Sequence, residues 1–336
     1  MAMVLGKPSP TNDSVARRSG DCAQISGPRR SYDAEMASAL WPALPYEEWK
    51  DTYATLHRWL QVAGKIALAQ APPVNHSWAV AMTLTPRGIS TYLLPHGTRS
   101  FTIEFDFVGH QLIVQVCNQS ARALPLVSRT VADFYRAVMD LMRDIGLPVR
   151  IWPVPVEIAD TPIRFDEDTI HHTYDPEQAN RFWTILTRVA PVFQERRAAF
   201  IGKTSPVHFF WGGPDLAVTR FSGRLAPPRE GPAFQREAYS HEVISHGFWF
   251  GGAPLLEPAF YAYAVPEPAG LKEAAIQPPA AYYHPELREF ILPYDAVRTA
   301  SDPEAAIRAF IDTTYDRAAT LARWDRAALE RPAAAV

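Results

Sequence analysis

The stretch SPVHFFWGGPDLAVTRFSGR, residues 205–224, combines a histidine, several aromatic side chains, an aspartate and two arginines in strand-like sequence. β-Branched and aromatic residues flank the breaker Gly212-Gly213-Pro214, which predicts two strands joined by a turn. Side chains in a strand alternate between its two faces, so His208 is expected on the face opposite Phe209 and Trp211. We expect the functional site to lie at this hairpin.

The second strand of the hairpin alternates in the same way. Asp215 and Thr219 are expected to share one face, with Leu216 and Arg220 on the other. Two interpretations of the polar residues remain open. Asp215 is either a reactive group or a structural residue that forms hydrogen bonds or an ion pair with a nearby arginine.

Composition excludes several classes of protein. With 336 residues and 47% hydrophobic content, the chain can build one large domain or two ordinary ones. Its net charge of -3 gives no basic surface for nucleic acid. No apolar run reaches the about 18 residues of a membrane span, and the first residues lack the apolar core of a secretory signal. Only two cysteines occur, which favours a reducing compartment, so we predict a cytoplasmic protein.

Hydrophobic periodicity predicts an α+β fold of two similar lobes, each an antiparallel β-meander flanked by helices. Apolar residues recur every three or four positions over Tyr46 to Gln70, which is typical of a helix, whereas Phe101 to Phe107 alternates as a strand does. Thr130, Asp175-Pro176 and Asp302-Pro303 are good helix starts. The predicted organisation is a disordered extension over 1–36, a first lobe over 37–150, a connecting segment over 151–174, a second lobe over 175–329 and a tail over 330–336.

Two short matches suggest that the lobes arose by internal duplication. PVNHSW at 73–78 is similar to PVHFFW at 206–211, and Leu124-Pro125 is similar to Leu292-Pro293. The second pair lies further apart than the first, which predicts an insertion in the second lobe near 225–258.

Histidines and acids of the second lobe suggest a metal site. His208, His241 and His284 are candidate ligands of a divalent metal ion, with Glu242 as a further ligand or a general base. Asp215 is a second candidate catalytic residue. His241 and His246 are one residue too far apart for the helical zinc motif, in which two histidines lie four residues apart.

Aromatic residues of the same lobe suggest a different kind of site. Trp211, Trp249, Tyr282 and Tyr283, together with Tyr239, Tyr261 and Tyr263, are candidates for a pocket that binds a small organic ligand. Arg220 or Arg224 is the candidate anchor for an acidic group of that ligand. A tyrosine-rich core explains the aromatic residues equally well.

Four phrases carry a resemblance to a known family. They are WPALPYEEW at 41–49, FIGKTSPVHFFWGGPDLAVTRFSGR at 200–224, EAYSHEVIS at 237–245 and YYHPELREFILPYD at 282–295. Through them the chain resembles a bacterial family catalogued as domain of unknown function 5996, over about residues 41–329. The resemblance implies one family-wide unit and carries over no activity or catalytic residues.

Two functions follow as hypotheses. The first is a metal-dependent enzyme that acts on a small organic molecule, and the alternative is a non-catalytic protein that binds such a molecule in an aromatic pocket. Neither nucleic acid nor membrane is expected as a partner, and the sequence leaves the oligomeric state, the substrate and the metal open.

Overall fold

The structure, a computed structural model, describes residues 40–158 and 162–332. The predicted extension over 1–36 and the last four residues of the predicted tail lie outside this part of the chain. In the described ranges, no helix combines the length and the apolar character that crossing a membrane requires.

The helices begin where the sequence predicts. Thr130, Asp175 and Asp302 each accept a hydrogen bond from a backbone N–H in the first turn of the following helix, which satisfies donors that the helix itself leaves unpaired. The helices are α1 (Tyr46–Gln70), a 3-10 segment (Asn75–Val80), α2 (Val131–Asp144), α3 (Pro176–Ala198), α4 (Ala233–Ala238), α5 (Tyr294–Arg298), α6 (Pro303–Leu321) and α7 (Arg326–Leu329).

Helix α1 is more deeply buried than a one-sided apolar stripe predicts. His57 and Trp59 lie off that stripe and are nevertheless buried, and the Trp59 ring stacks on Phe134 of α2 at 4.5 Å between centroids. The reason is that α1 packs against α2, α3 and strands at once. A helix with neighbours on several sides is buried all round.

The strands of the described residues form one continuous sheet. They are β1 (Met82–Leu84), β2 (Gly88–Thr91), β3 (Leu94–His96), β4 (Arg99–Asp106), β5 (Gln111–Val116), β6 (Arg122–Pro125), β7 (His208–Phe210), β8 (Asp215–Leu225), β9 (His241–Trp249), β10 (Ala259–Val265), β11 (Tyr282–His284) and β12 (Glu289–Pro293). Their order is β11-β12-β10-β9-β8-β7-β1-β2-β4-β5-β6, with β3 paired to β4, and all pairs are antiparallel.

The predicted mixture of helices and antiparallel strands is confirmed, and the halves meet inside the sheet. Strands β1–β6 come from the first half and β7–β12 from the second, and Met82 of β1 faces Phe209 of β7 at the join. The segment 225–258 contains β9, which is hydrogen-bonded between β8 and β10; residues 226–240 and 250–258 of that segment lie outside these strands. The internal duplication stays a prediction.

The helices α1, α2, α3 and α6 cover one face of the sheet. On that face a row of fully buried apolar side chains crosses the second half, one from each of β7, β8, β9, β10 and β12: Phe209, Leu216, Phe248, Phe260 and Leu292. Burying a side chain of this size contributes about 2 kcal/mol, so the row anchors the helical layer to the sheet. Residues one position away along each strand point to the opposite face, where the candidate site lies.

Candidate functional site

A cavity lies on the face of the sheet that the helical layer leaves uncovered, over its second half. Its volume is about 490 Å³. Strands β7 to β10 and β12 form the floor, and the 3-10 segment, α4 and the loop that carries Glu157 form the walls. The aromatic residues that line it are Trp78, Phe210, Phe221, Phe234, Tyr239, Trp249, Tyr261 and Tyr263. The cavity is therefore framed mainly by rings, with a few polar groups among them.

The predicted alternation of the 205–224 hairpin is confirmed. His208, Asp215 and Thr219 line the cavity, whereas Phe209 and Leu216 are fully buried in the core on the other face. His208 is opposite Ala217 and Phe210 is opposite Asp215, which is the register of a hairpin closed by the Gly212-Gly213 turn.

Helix α1 holds two edges of the cavity in place. The His57 ring donates from Nε2 to the carbonyl of Gly212 at 2.6 Å, which fixes the turn between β7 and β8. The Gln61 amide bonds to both backbone groups of Val156, at 2.7 and 2.8 Å. Glu157 is the next residue, so this buried glutamine positions it at the cavity rim.

Gly247 allows the side chain of Tyr261 to cross the neighbouring strand β9. It lies on β9 between Ala217 of β8 and Tyr261 of β10, and a Cβ at this position would overlap the Tyr261 ring. With no side chain beneath it, the ring lies over β9 and its hydroxyl donates a hydrogen bond to the carboxyl of Asp215. Glycine is required here for the close approach of the ring to the backbone.

Two carboxyl groups in the cavity resist ionisation. Burial raises the pKa of Asp215 to about 7, against the hydrogen bond from Tyr261, and the nearby Glu157 raises it further. Burial, followed by the charge of Asp215, raises the pKa of Glu289 to about 7. Both groups therefore exchange protons near neutral pH, which is a property typical of functional sites.

His208 presents an unused acceptor to the cavity. Its Nδ1 donates to the carbonyl of Pro206 at 2.6 Å, so Nε2 of the neutral ring is an acceptor. Among the described residues, Nε2 has no hydrogen-bond partner, although the side chain is only 2% exposed. Burial lowers the pKa of His208 to about 4, so the ring is neutral at physiological pH.

The three predicted metal ligands do not meet. His208 lines the cavity, His241 lies at the start of β9 with Nδ1 3.0 Å from Ser240 Oγ, and His284 lies on the edge strand β11, where Nδ1 accepts from the backbone of Leu287. Residues 40–158 and 162–332 hold no group of three or more histidine, cysteine or acidic side chains suited to a metal ion.

The predicted acid Glu242 and the two arginines are engaged elsewhere. Arg224 forms an ion pair with Glu242 at 2.6 Å and donates to the carbonyl of Ala322 at 2.7 Å, which ties β8 to the end of α6. Arg220 points to the helical face, where it is buried over the ring of Tyr315 at 4.6 Å. An ion pair between Asp215 and either arginine is not formed.

The predicted aromatic residues divide in the same way. Trp249 lines the cavity, whereas Trp211 is in the core, where its indole N–H donates to the carbonyl of Val80 at 2.8 Å. Tyr282 and Tyr283 lie on β11 at the sheet edge, outside the cavity lining. Tyr261 and Tyr263, two further candidates from the sequence, do line the cavity.

Two acidic residues of the cavity were not among the candidate site residues chosen from the sequence. Glu289 opens the strand EFILP, and its position two residues from Ile291 on the cavity face was a usable signal. Glu157 lies in a loop without periodicity, and its place in the cavity depends on the distant Gln61, so no local pattern identifies it.

Comparison with known proteins gives a family without an assigned activity. No curated protein and no solved structure matches the chain. Residues 41–331 match the model of DUF5996, a family of unknown function. The family and the range agree with the resemblance that the sequence phrases gave over about residues 41–329, and the range contains every strand of the sheet and every residue of the cavity. The chain therefore belongs to the DUF5996 family.

Proposed function

We propose that the protein binds a small organic molecule in the cavity over β7 to β10 and β12. The observation that carries this proposal is the cavity itself, with aromatic walls and convergent polar groups on its floor. A volume of about 490 Å³ lies within the range of small-molecule sites. Aromatic walls supply apolar contact area, while Asp215, Glu289 and His208 supply orientation.

A catalytic role for Asp215 is the second candidate. A carboxyl group whose pKa is about 7 is suited to give and take protons near neutral pH, and Tyr261 holds it in a fixed direction. Recovery of a bound molecule from the protein in altered form would favour this second function, and recovery of the same molecule unchanged would favour binding alone. The metal-dependent enzyme is a hypothesis from the sequence that elemental analysis tests.

The experiment that tests the proposal is a thermal-shift screen of small organic molecules against three forms of the protein. Trp78→Ala removes a ring from the cavity wall, whereas Trp152→Ala removes a ring that is 70% exposed outside it. We expect some molecules to raise the Tm of the wild type and of Trp152→Ala, and to raise that of Trp78→Ala less. A screen without any shift, or equal shifts in both variants, would overturn the proposal.

Two further proposals concern the evolutionary origin of the two halves and the cellular location of the protein. We infer that the halves arose by duplication, because each runs from a long helix (α1 or α3) through antiparallel strands to a second helix (α2 or α6). Superposition of the halves, with β1 on β7 and β2 on β8, tests the duplication. Halves whose remaining strands do not superpose in the same order would refute it. We also infer a cytoplasmic location from the scarcity of cysteine, to be tested by cell fractionation.

A further inference from the structure

We propose that the ligand of this cavity is a protonated organic amine, with its ammonium group held by Asp215, Glu289 and His208 and its carbon skeleton against the aromatic walls. This inference rests on the proposed function and specifies the chemical class of the ligand. Three properties of the cavity support it: its unpaired acceptors, its charge and its rings.

The cavity floor presents hydrogen-bond acceptors that no donor of the described residues uses. One oxygen of Asp215 accepts from Tyr261, and the other has no hydrogen-bond partner in the described part of the chain. The carboxyl group of Glu289 and Nε2 of His208 have no such partner there either. A ligand that carries several N–H donors would pair with these acceptors. An ammonium group carries up to three.

The charge of the cavity has one sign. Glu157, Asp215 and Glu289 line it, and no lysine or arginine among the described residues does so. Two cations contact residues of the cavity wall: Lys203 bonds to His76 Nε2 at 2.8 Å, and Arg229 lies over the ring of Tyr239 at 4.5 Å. An anionic ligand would meet three acids without a counter-charge, whereas a cation meets complementary charge.

The rings that line the cavity complement the same kind of ligand. Tyr261 and Tyr263 lie nearly parallel, with 5.9 Å between centroids and 15° between planes, and Trp249 stands beside them on the neighbouring strand. The faces of such rings attract cations, most strongly where water is excluded. A quaternary ammonium would use the rings but leave His208 and the carboxyl oxygens unpaired, so the acceptors select an amine with N–H groups.

Binding of an ammonium ion is coupled to release of a proton. Around pH 7 the carboxyl groups of Asp215 and Glu289 are partly protonated when the cavity is empty. The cation favours their ionised forms, so each proton lost from a carboxyl group goes to solvent as the ammonium takes its place. The titratable groups that face the pair are Tyr53 from α1, Glu157 from the loop, His208 from β7, Tyr239 from the end of α4, and Tyr261 and Tyr263 from β10.

Matched ligand series provide the first test. Primary amines such as 2-phenylethylamine are compared by calorimetry with the alcohol, the carboxylate and the trimethylammonium ion of the same carbon skeleton. We expect the best amine to bind at least about tenfold more tightly than its three counterparts. Preferred binding of alcohols or carboxylates would overturn the amine proposal and leave the binding function standing, whereas no binding in any series would overturn both.

Isosteric variants provide the second test. Glu289→Gln and Asp215→Asn keep the shape of the side chains and remove the charges, and we expect each to weaken amine binding by about tenfold or more. Glu267→Gln is the matched control, because Glu267 is also partly buried but is paired with Arg288 outside the cavity lining. Equal losses in the variants and the control would contradict the assignment.

The pH dependence provides a readout that a merely structural role would not change. Amine affinity of the wild type is expected to rise between pH 6 and 8, and calorimetry in buffers of different ionisation enthalpy should show proton release on binding. In the Glu289→Gln, Asp215→Asn double variant both effects should disappear, with folding checked by circular dichroism. A pH-independent affinity in the wild type, or an unfolded Asp215→Asn together with a fully binding Glu289→Gln, would overturn the proposal.

Discussion

Replacing Asp215 with asparagine should stabilise the protein at alkaline pH and leave it nearly unchanged at acidic pH. Burial raises the pKa of this carboxyl from 3.8 to about 7, while the unfolded chain keeps the ordinary value. Between these two values the unfolded chain releases a proton that the folded protein retains. The free energy of unfolding of the wild type therefore falls by about 1.4 kcal/mol for each pH unit in this window.

The size of the effect follows from the width of the window. A shift of about three pKa units corresponds to a loss of about 4 kcal/mol in the free energy of unfolding of the wild type. This loss is fully present above pH 7 and absent below pH 3.8. Asparagine retains an oxygen that accepts from Tyr261, so the hydrogen bond survives in the variant. Relative to the wild type, Asp215→Asn should thus gain stability from near zero at pH 4 to about 4 kcal/mol at pH 8.

Urea unfolding followed by tryptophan fluorescence, at intervals from pH 4 to 8, measures this difference. Glu289→Gln is the parallel variant, and its smaller shift from 4.5 to about 7 predicts a gain of about 3 kcal/mol at pH 8. The gains of the two variants should not add, because Asp215 itself raises the pKa of Glu289. A difference between Asp215→Asn and wild type that stays constant with pH would show that Asp215 ionises normally in the folded protein.

Three further predictions concern the surroundings of the cavity. Gly247→Ala places a Cβ against the Tyr261 ring and should lower stability by about 1 to 3 kcal/mol in urea unfolding, so an unchanged midpoint would contradict the described contact. Arg224→Ala removes the ion pair to Glu242 and the bonds to two carbonyls after α6. This variant should lower the free energy of unfolding by about 1 kcal/mol and speed hydrogen exchange at residues 322–331, with ligand affinity unchanged. Weaker ligand binding would show that Arg224 or Glu242 belongs to the site. Elemental analysis of protein purified without a histidine tag should find no stoichiometric metal, whereas a bound metal lost in His208→Ala would support the metal-dependent enzyme.

Local features of the fold could be predicted because local chemistry determines them. The Gly212-Gly213 turn and the alternation of His208 with Phe209 depend only on neighbouring residues, and helix starts such as Asp175 depend on a side chain and the next few backbone groups. These features are the same in any sheet that contains the hairpin.

The order of strands and the composition of the cavity depend on contacts between distant residues. Most of β9 is buried on both faces, from Val243 to Phe248, so its sequence lacks the alternation of a half-buried strand. The join of the two halves, Met82 against Phe209, has no local signal. The bond from Tyr261 to Asp215 likewise depends on the register of three strands, and periodicity within each strand does not specify that register.

The destabilising effect of the two carboxyl groups is itself an argument for a ligand. Together, Asp215 and Glu289 cost several kcal/mol above pH 7, which is a large share of the about 5 to 15 kcal/mol that stabilises a folded domain. Asparagine and glutamine would fit the same space, keep the hydrogen bond from Tyr261 and avoid the cost. Packing therefore does not account for acids at these positions. If the proposed function holds, an ammonium ligand accounts for them. The ionised carboxyl groups that destabilise the empty protein would bind the ammonium group, so the ligand would stabilise the folded protein.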